Sequence, residues 1–204
     1  IRMQMLNDSV YSWPSWEIRH DDIIASPKEY VDENVKISIA EQGTLRASLK
    51  ITRTRAGSEF VQYIRLASTG HENRIDFVNE VDWQTRKRLL KVAFPLTASN
   101  PKVTYDLSIG TIQRGLSTKD SYEFQGHQWA DQTHKDNSYG VSILNDCKYG
   151  WDKPSDNILR LSLIHTPRGV LYDHGQQQDL GLNKFTYSFY RHVGAWNETT
   201  QWEA

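Results

Sequence analysis

The feature that most constrains this chain is a period of two that holds almost from end to end. Between Thr44 and Arg53, Leu45, Ala47, Leu49 and Ile51 fall on one face, while Arg46, Ser48, Lys50 and Thr52 fall on the other. That alternation fits a half-buried strand and does not fit a helix. Val103, Tyr105, Leu107 and Ile109 repeat it, as do Leu159, Leu161 and Leu163, and then Phe185, Tyr187 and Phe189. Val35–Glu41, Glu59–Ala67, Arg74–Val81, Leu89–Phe94 and Tyr139–Asn145 read as further strands, rich in β-branched and aromatic residues. Turn signals separate the runs: Gln42-Gly43, Ala56-Gly57-Ser58, Ser99-Asn100-Pro101, Lys153-Pro154-Ser155-Asp156 and His174-Gly175. No long window keeps a helical period. Asp82–Lys91 comes nearest and runs straight into an apparent strand. The segment Ser117–Asn137 reads as a long polar loop with one short aromatic strand inside it.

About ten strands joined by short turns imply an all-β fold, a large antiparallel β-sandwich, rather than alternating β and α units. With 38% hydrophobic residues over 204 positions, one domain spanning 1–204 can bury a sizeable core. The net charge of −1 argues against nucleic acid or an anionic membrane as partner. No run approaches the roughly 18 apolar residues of a membrane span. Cys147 is the single cysteine, so no internal disulfide holds the fold. The sequence does not reveal the compartment. It starts without Met and ends without punctuation, so we expect a piece of a longer polypeptide.

Five features carry candidate chemistry. His127, Asp131 and His134 are metal-ligand types, but their spacing suits a helix and the segment reads as loop or strand; a polar loop anchored by Trp129 is the simpler reading. The stretch from Asn145 to Asp152 packs two carboxylates, an amide, an ammonium and two aromatics into one turn. Carboxylates and amides bond sugar hydroxyls, and aromatic faces stack on C–H surfaces, so Asn145, Asp146, Lys148 and Tyr149 are candidate sugar contacts. A turn in which Asn and Asp cap backbone groups is the alternative. Cys147 has no visible His partner and reads as a buried structural thiol. His165 ends the Leu159–Leu161–Leu163 face, so parity points it inward or to the rim, as a core histidine or a ligand contact. The seven tryptophans are many for this length and serve either core packing or sugar stacking.

Several strings become specific when read together and in order. Arg74-Ile75-Asp76-Phe77-Val78-Asn79-Glu80-Val81-Asp82-Trp83 precedes Leu89-Leu90-Lys91-Val92-Ala93-Phe94-Pro95. Gly110-Thr111-Ile112-Gln113-Arg114, Gln128-Trp129-Ala130-Asp131 and Tyr139-Gly140-Val141-Ser142-Ile143-Leu144-Asn145-Asp146-Cys147-Lys148-Tyr149-Gly150 follow, then Leu159-Arg160-Leu161-Ser162-Leu163 and Phe185-Thr186-Tyr187. From about Trp13 to Glu203 the chain resembles the C-terminal β region of α-mannosidases of glycoside hydrolase family 38, of bacterial type.

The resemblance implies a twisted supersandwich similar to galactose mutarotase folds. It implies a parent that is a retaining exo-α-mannosidase with one zinc ion, acting on terminal α-mannosides. The nucleophile and main zinc ligands would lie in an N-terminal α/β barrel, followed by a helical bundle. The barrel is absent here, so no catalytic or metal-ligating residue is expected in this chain, which alone should be silent. The expected partners are α-mannoside glycans and those N-terminal domains. The resemblance raises the Asn145–Gly150 loop as a wall of the sugar site. It also suggests that His165 stands where many relatives carry an Arg close to a sugar or a catalytic carboxylate. Two other readings stay open: an autonomous carbohydrate-binding module with an exposed aromatic platform, and a bracing domain with exposed apolar patches where neighbours would sit.

Overall fold

The structure is a computed structural model that describes residues 1–10, 12–68, 73–167, 179–196, 200 and 203–204. The turn signal at His174-Gly175 and the tryptophan at 202 lie outside the described residues. The elements in chain order are β1 (Arg2–Asn7), α1 (His20–Ile24), β2 (Glu29–Tyr30), β3 (Glu33–Gln42), β4 (Arg46–Arg55), β5 (Ser58–Ala67), β6 (Arg74–Trp83) and β7 (Arg88–Pro95). Then come β8 (Val103–Asp106), β9 (Thr111–Arg114), β10 (Phe124–Gln125), β11 (Trp129–Thr133), β12 (Tyr139–Asn145), β13 (Gly150–Ser155), β14 (Ile158–Thr166) and β15 (Gly181–Val193).

The strands form two antiparallel sheets. A six-stranded sheet runs β10-β13-β14-β7-β1-β2, and a nine-stranded sheet runs β3-β4-β5-β6-β15-β12-β11-β8-β9. The main core lies between them. Met5, Leu90, Val92, Phe94, Leu159 and Leu161 from the first sheet meet Phe60, Phe77, Val81, Ile143, Phe185 and Tyr187 from the second. These positions alternate along their strands, so the binary pattern and the sandwich agree. Trp83 and Trp151 are fully buried in this core. Burial of an aromatic side chain of this size contributes on the order of 2–3 kcal/mol before packing terms.

The β4–β5 hairpin shows how local chemistry sets register. Arg55 pairs with Ser58, leaving a two-residue turn of Ala56 at φ 49° and Gly57 at φ 81°. Two positive φ values match the right-handed twist of the flanking strands, and Gly supplies one of them without strain.

The structure departs from the sequence expectations in several places. β8 stops at Asp106, because the chain turns through Leu107–Gly110 with Ser108 at φ 69°; Ile109 stands fully exposed at the tip. The Ser117–Asn137 segment holds two strands, β10 and β11, rather than one. The Asp82–Lys91 stretch is the end of β6, a turn with Lys87 at φ 53°, and the start of β7. The Leu45–Leu49 face is far more exposed than a half-buried strand implies, as described below.

The outer faces of both sheets are also covered in part. α1 and the chain around Tyr122 lie over the six-stranded sheet, where Leu6, Ile23 and Leu89 form a second small core with Ile18 and Tyr122 beside it. On the outer face of the nine-stranded sheet, Trp129, Leu144 and Tyr190 pack with Trp196.

Candidate functional site

One end of the sandwich gathers three connections: Leu107–Gly110 after β8, Gly126–Gln128 between β10 and β11, and Asp146–Tyr149 between β12 and β13. They enclose an open cleft of about 640 Å³ lined by Asp106, Ser108, His127, Gln128, Trp129 and Tyr149. Gly126 ties two of these loops together. Its N–H donates to the Tyr149 carbonyl at 3.1 Å, and its carbonyl accepts from the Trp151 indole at 3.3 Å. A Cβ at Gly126 would lie 3.0 Å from the rings of both Trp151 and Tyr105, so a side chain here would press on both rings where the loop approaches the core.

Asp106 organises the floor. Its carboxylate accepts from the backbone N–H of Ser108 at 2.9 Å and of Gln128 at 3.0 Å, and its carbonyl accepts from His127 N–H at 2.8 Å. This Asx-turn arrangement holds Ser108 in its left-handed conformation. The Ser108 hydroxyl pairs with His127 Nδ1. The Tyr149 ring meets the His127 ring edge-on, with centroids 5.5 Å apart, and is 55% exposed.

Of the five residues expected to contact sugar, Tyr149 alone lines this cleft. Asn145 is buried, and its carboxamide is spent inside the loop. Its Nδ2 donates to the carbonyls of His127 at 2.8 Å and Gln128 at 3.4 Å, and its Oδ1 accepts from the N–H groups of Cys147 at 3.1 Å and Lys148 at 2.6 Å. It therefore fixes the shape of the cleft wall. Asp146 turns to β15, where Oδ2 accepts from Thr186 N–H at 3.0 Å. The Lys148 ammonium lies 5.0 Å from the centre of the Phe185 ring. The capping alternative thus describes Asn145 and Asp146, while Tyr149 keeps a face free.

His165 does not share the leucine face. β14 carries a bulge between Ser162 and Ile164, so Leu163 and Ile164 both enter the core and the parity flips. His165 lands opposite Leu89 on the outer face, with Nε2 2.9 Å from the buried carboxylate Oδ2 of Asp8. Cys147 is another correction: it is exposed, not buried. Partial desolvation, then the hydrogen bond and charge of Asp146, push its thiol up to about 11. At neutral pH it is a poor nucleophile.

His127, Asp131 and His134 do not converge. β11 is extended between them, and at about 3.3 Å per residue the two histidines stand roughly 20 Å apart. Asp131 is buried and already engaged. Its Oδ2 accepts from Ser142 Oγ at 2.7 Å and lies 2.6 Å from His192 Nε2, and its Oδ1 accepts from Thr133 Oγ1 at 2.7 Å. His134 pairs with Asp136. Among the described residues, no group of three or more His, Cys, Asp or Glu side chains is arranged to hold a metal ion.

The cleft thus offers an aromatic face, an imidazole, a hydroxyl and an exposed carboxamide. Its one carboxylate, Asp106, is held by two backbone amides. The arrangement suits binding of a polyhydroxylated ligand and lacks the carboxyl pair that glycoside cleavage needs. Sequence reading missed Asp106, Ser108 and Gln128. The signal present was Asp106-Leu107-Ser108 before Gly110, a turn pattern that alternation had absorbed into a strand.

Of the other tryptophans, Trp13 and Trp16 stack on each other at the surface, with ring centroids 5.2 Å apart and planes within 4°. They are 63% and 79% exposed.

The profile of the glycosyl hydrolases family 38 C-terminal domain matches residues 1–175. Alpha-mannosidase 2C1 of Mus musculus is 28% identical over 209 residues, covering 95% of this chain and 18% of that protein. Alpha-mannosidase G of Dictyostelium discoideum is 29% identical over 202 residues, with the same coverages. The chain thus spans under a fifth of the length of these curated relatives. Among solved structures, an alpha-mannosidase from Enterococcus faecalis V583 superposes with a TM-score of 0.78 at 14% identity, over 99% of this chain and 26% of that one. A family 38 glycosyl hydrolase from the same species gives 0.77 at 14% identity, over 99% and 27%. At this identity the two structures establish the fold.

Proposed function

We propose, from the premise that this chain belongs to the family of glycosyl hydrolase family 38 C-terminal domains, that it is the C-terminal β-sandwich of a retaining, zinc-dependent exo-α-mannosidase. The observation that carries the reading is the family match over residues 1–175, joined to curated relatives that are all named α-mannosidases. In this reading the catalytic carboxyls and the zinc ligands belong to other parts of the polypeptide. The described residues do not fit a zinc site, because Asp131 is consumed by Ser142, Thr133 and His192 and the nearby histidines diverge. In this reading the chemical step belongs to those other parts of the polypeptide.

Its own contribution is positional. Tyr149 presents a ring face to a sugar's C–H surface, and His127, Ser108 and Gln128 offer groups to its hydroxyls. The backbone hydrogen bonds of Asp106 and Asn145 hold these groups in place, so little ordering is needed on binding.

The test is hydrolysis of an aryl α-mannoside by the full-length polypeptide and by these 204 residues, with and without a zinc chelator. Activity confined to the full polypeptide and abolished by chelation is the expected result. Turnover by the 204 residues alone sinks the assignment of chemistry elsewhere, and an inactive full polypeptide sinks the substrate. In the full polypeptide, Tyr149→Ala should lower kcat/KM about tenfold, the value of one aromatic–sugar contact near 1.4 kcal/mol. A change under twofold removes Tyr149 from the sugar site.

A second reading, an autonomous carbohydrate-binding module, is favoured by the exposed Trp13–Trp16 stack. Titration of this chain with mannosides, followed by tryptophan fluorescence, tests it: saturable quenching supports a platform, and a flat signal excludes one.

A further inference from the structure

The inner face of the nine-stranded sheet is wider than the layer that covers it. The six-stranded sheet reaches as far as β1 and β2, where Met3 and Val31 close the core over Phe77 and Tyr187. Beyond them β3, β4 and the end of β5 carry the same face onward without cover. Register identifies the face: Ile37 opposes Ile51, Ile39 opposes Leu49, Leu49 opposes Ile64, Ala47 opposes Leu66, and Ile64 opposes Phe77 of the core. Val35, Ile37, Ile39, Leu45, Leu49 and Leu66 are between 42% and 75% exposed. Six large aliphatic side chains on adjacent strands make a contiguous patch of a kind that isolated soluble domains rarely display.

The patch is also a groove. One hollow of about 440 Å³ is lined by Met3, Val31, Val35, Arg53, Ile64 and Phe77, among others. A second of about 340 Å³ is lined by Ile39, Leu49, Ile64 and Leu66 among others. Ile64 borders both, so the apolar trough runs unbroken from the core's margin to the tip of the β3–β4 hairpin. In the inner hollow stands Arg53. Its guanidinium donates to Gln62 Oε1 at 3.4 Å, and among the described residues no carboxylate lies within ion-pairing distance of it. Its surroundings lower its pKa through desolvation, the mark of a cation held against apolar surface without a counter-charge.

We infer that this trough is a docking surface for another part of the same polypeptide, which lays aliphatic side chains along Ile37, Ile39, Leu49 and Leu66 and sets a carboxylate against Arg53. The occupant follows from two facts. The curated relatives are more than five times the length of the region that matches, so most of such a polypeptide lies outside these 204 residues. The trough is the domain's own core face continued, and a sheet face of this composition needs a second layer. A half-buried arginine in that layer's footprint selects an anionic partner over a purely apolar one. The inference rests on reading the chain as one domain of a longer enzyme.

Hydroxyl-radical footprinting of the full-length polypeptide is the test. Ile37, Ile39, Leu49 and Leu66 should be modified at least tenfold more slowly than Ile109, which is fully exposed. Modification at the rate of Ile109 overturns the inference. Protection that vanishes when dilution to single copies is verified by light scattering assigns the trough to a second copy and overturns it as well. The charge is tested separately, by Arg53→Lys and zero-length carbodiimide coupling of the introduced amine. Coupling to an Asp or Glu outside these 204 residues is expected. Coupling only to Asp32, which lines the same hollow, or to nothing overturns the carboxylate. Hydrolysis of an aryl α-mannoside by the same sample separates the two ideas. Activity with an unprotected trough sinks the docking surface alone, and protection without activity supports the surface while removing the proposed substrate.

Discussion

Lys91, Asp152 and Arg160 show how single residues settle a surface that alternation alone would leave in water. Lys91 and Asp152 are fully buried on the outer face of the six-stranded sheet. Lys91 Nζ donates to Asp152 Oδ1 at 2.8 Å and Glu123 Oε2 at 2.6 Å. Arg160 donates to both oxygens of Asp152 and to the Ile23 carbonyl of α1. Burial raises the pKa of Glu123, and Lys91 opposes that rise. Two cations share Asp152, so its loss leaves buried positive charge uncompensated. Asp152→Asn should cost about 3–5 kcal/mol in urea unfolding; a cost under 1 kcal/mol would mean that water or a rearranged Glu123 replaces it. Lys153 carries a pH signature. Burial lowers the pKa of its ammonium to about 8, from the ordinary 10.5 of a lysine, and Nζ donates to Gln132 Oε1 at 2.6 Å. Between those values the unfolded chain binds more protons than the folded one, so this residue makes stability rise with pH from about 8 to 10.5. The stability of wild type relative to Lys153→Met should therefore increase between pH 8 and 10. A pH-independent difference would contradict the lowered pKa.

At the scale of elements, strand periodicity was legible and its interruptions were not. Long alternating runs became β5, β6, β14 and β15 because each has one face to bury, and β4 because it alternates in the same way. The bulge in β14 is invisible in Leu159-Arg160-Leu161-Ser162-Leu163-Ile164-His165, because Leu163 and Ile164 are both apolar and either could continue the pattern. That one inserted residue moved His165 from the leucine face to Asp8. β1 and β13, six residues each, went unread, and β13 is masked by the charged pair Asp152-Lys153 that it buries. Gly140 in β12 tests strand packing directly. A Cβ there would lie 2.6 Å from His192 Nε2 and 3.0 Å from the Thr133 backbone. Gly140→Ala should displace His192 from Asp131 and destabilise by about 1–3 kcal/mol in thermal or urea unfolding. Unchanged stability would mean that the His192 ring moves freely.

At the scale of the molecule, the apolar trough and the buried core are one surface divided by where the second sheet ends. The 204 residues in isolation should bind a hydrophobic dye such as ANS while retaining near-ultraviolet circular dichroism, and Ile39→Glu with Leu49→Glu should reduce that binding several-fold. No dye binding by the unmodified chain would mean that the hairpin folds back on its own face. The all-β class, the antiparallel sandwich and the family were readable from sequence, because alternation, turn residues and ordered strings are local and survive without coordinates. The cleft was readable only at Tyr149. His127 joins it from a different loop, and Asp106 holds that loop through backbone N–H groups that carry no sequence signature. Which apolar residues are inside was likewise decided by tertiary structure. Leu49 and Ile51 follow one another on the same face of β4, yet Ile51 is buried and Leu49 is not. Period two determines which face a side chain joins. How far the opposing layer extends determines whether that face meets water, and that depends on contacts between residues distant in the chain.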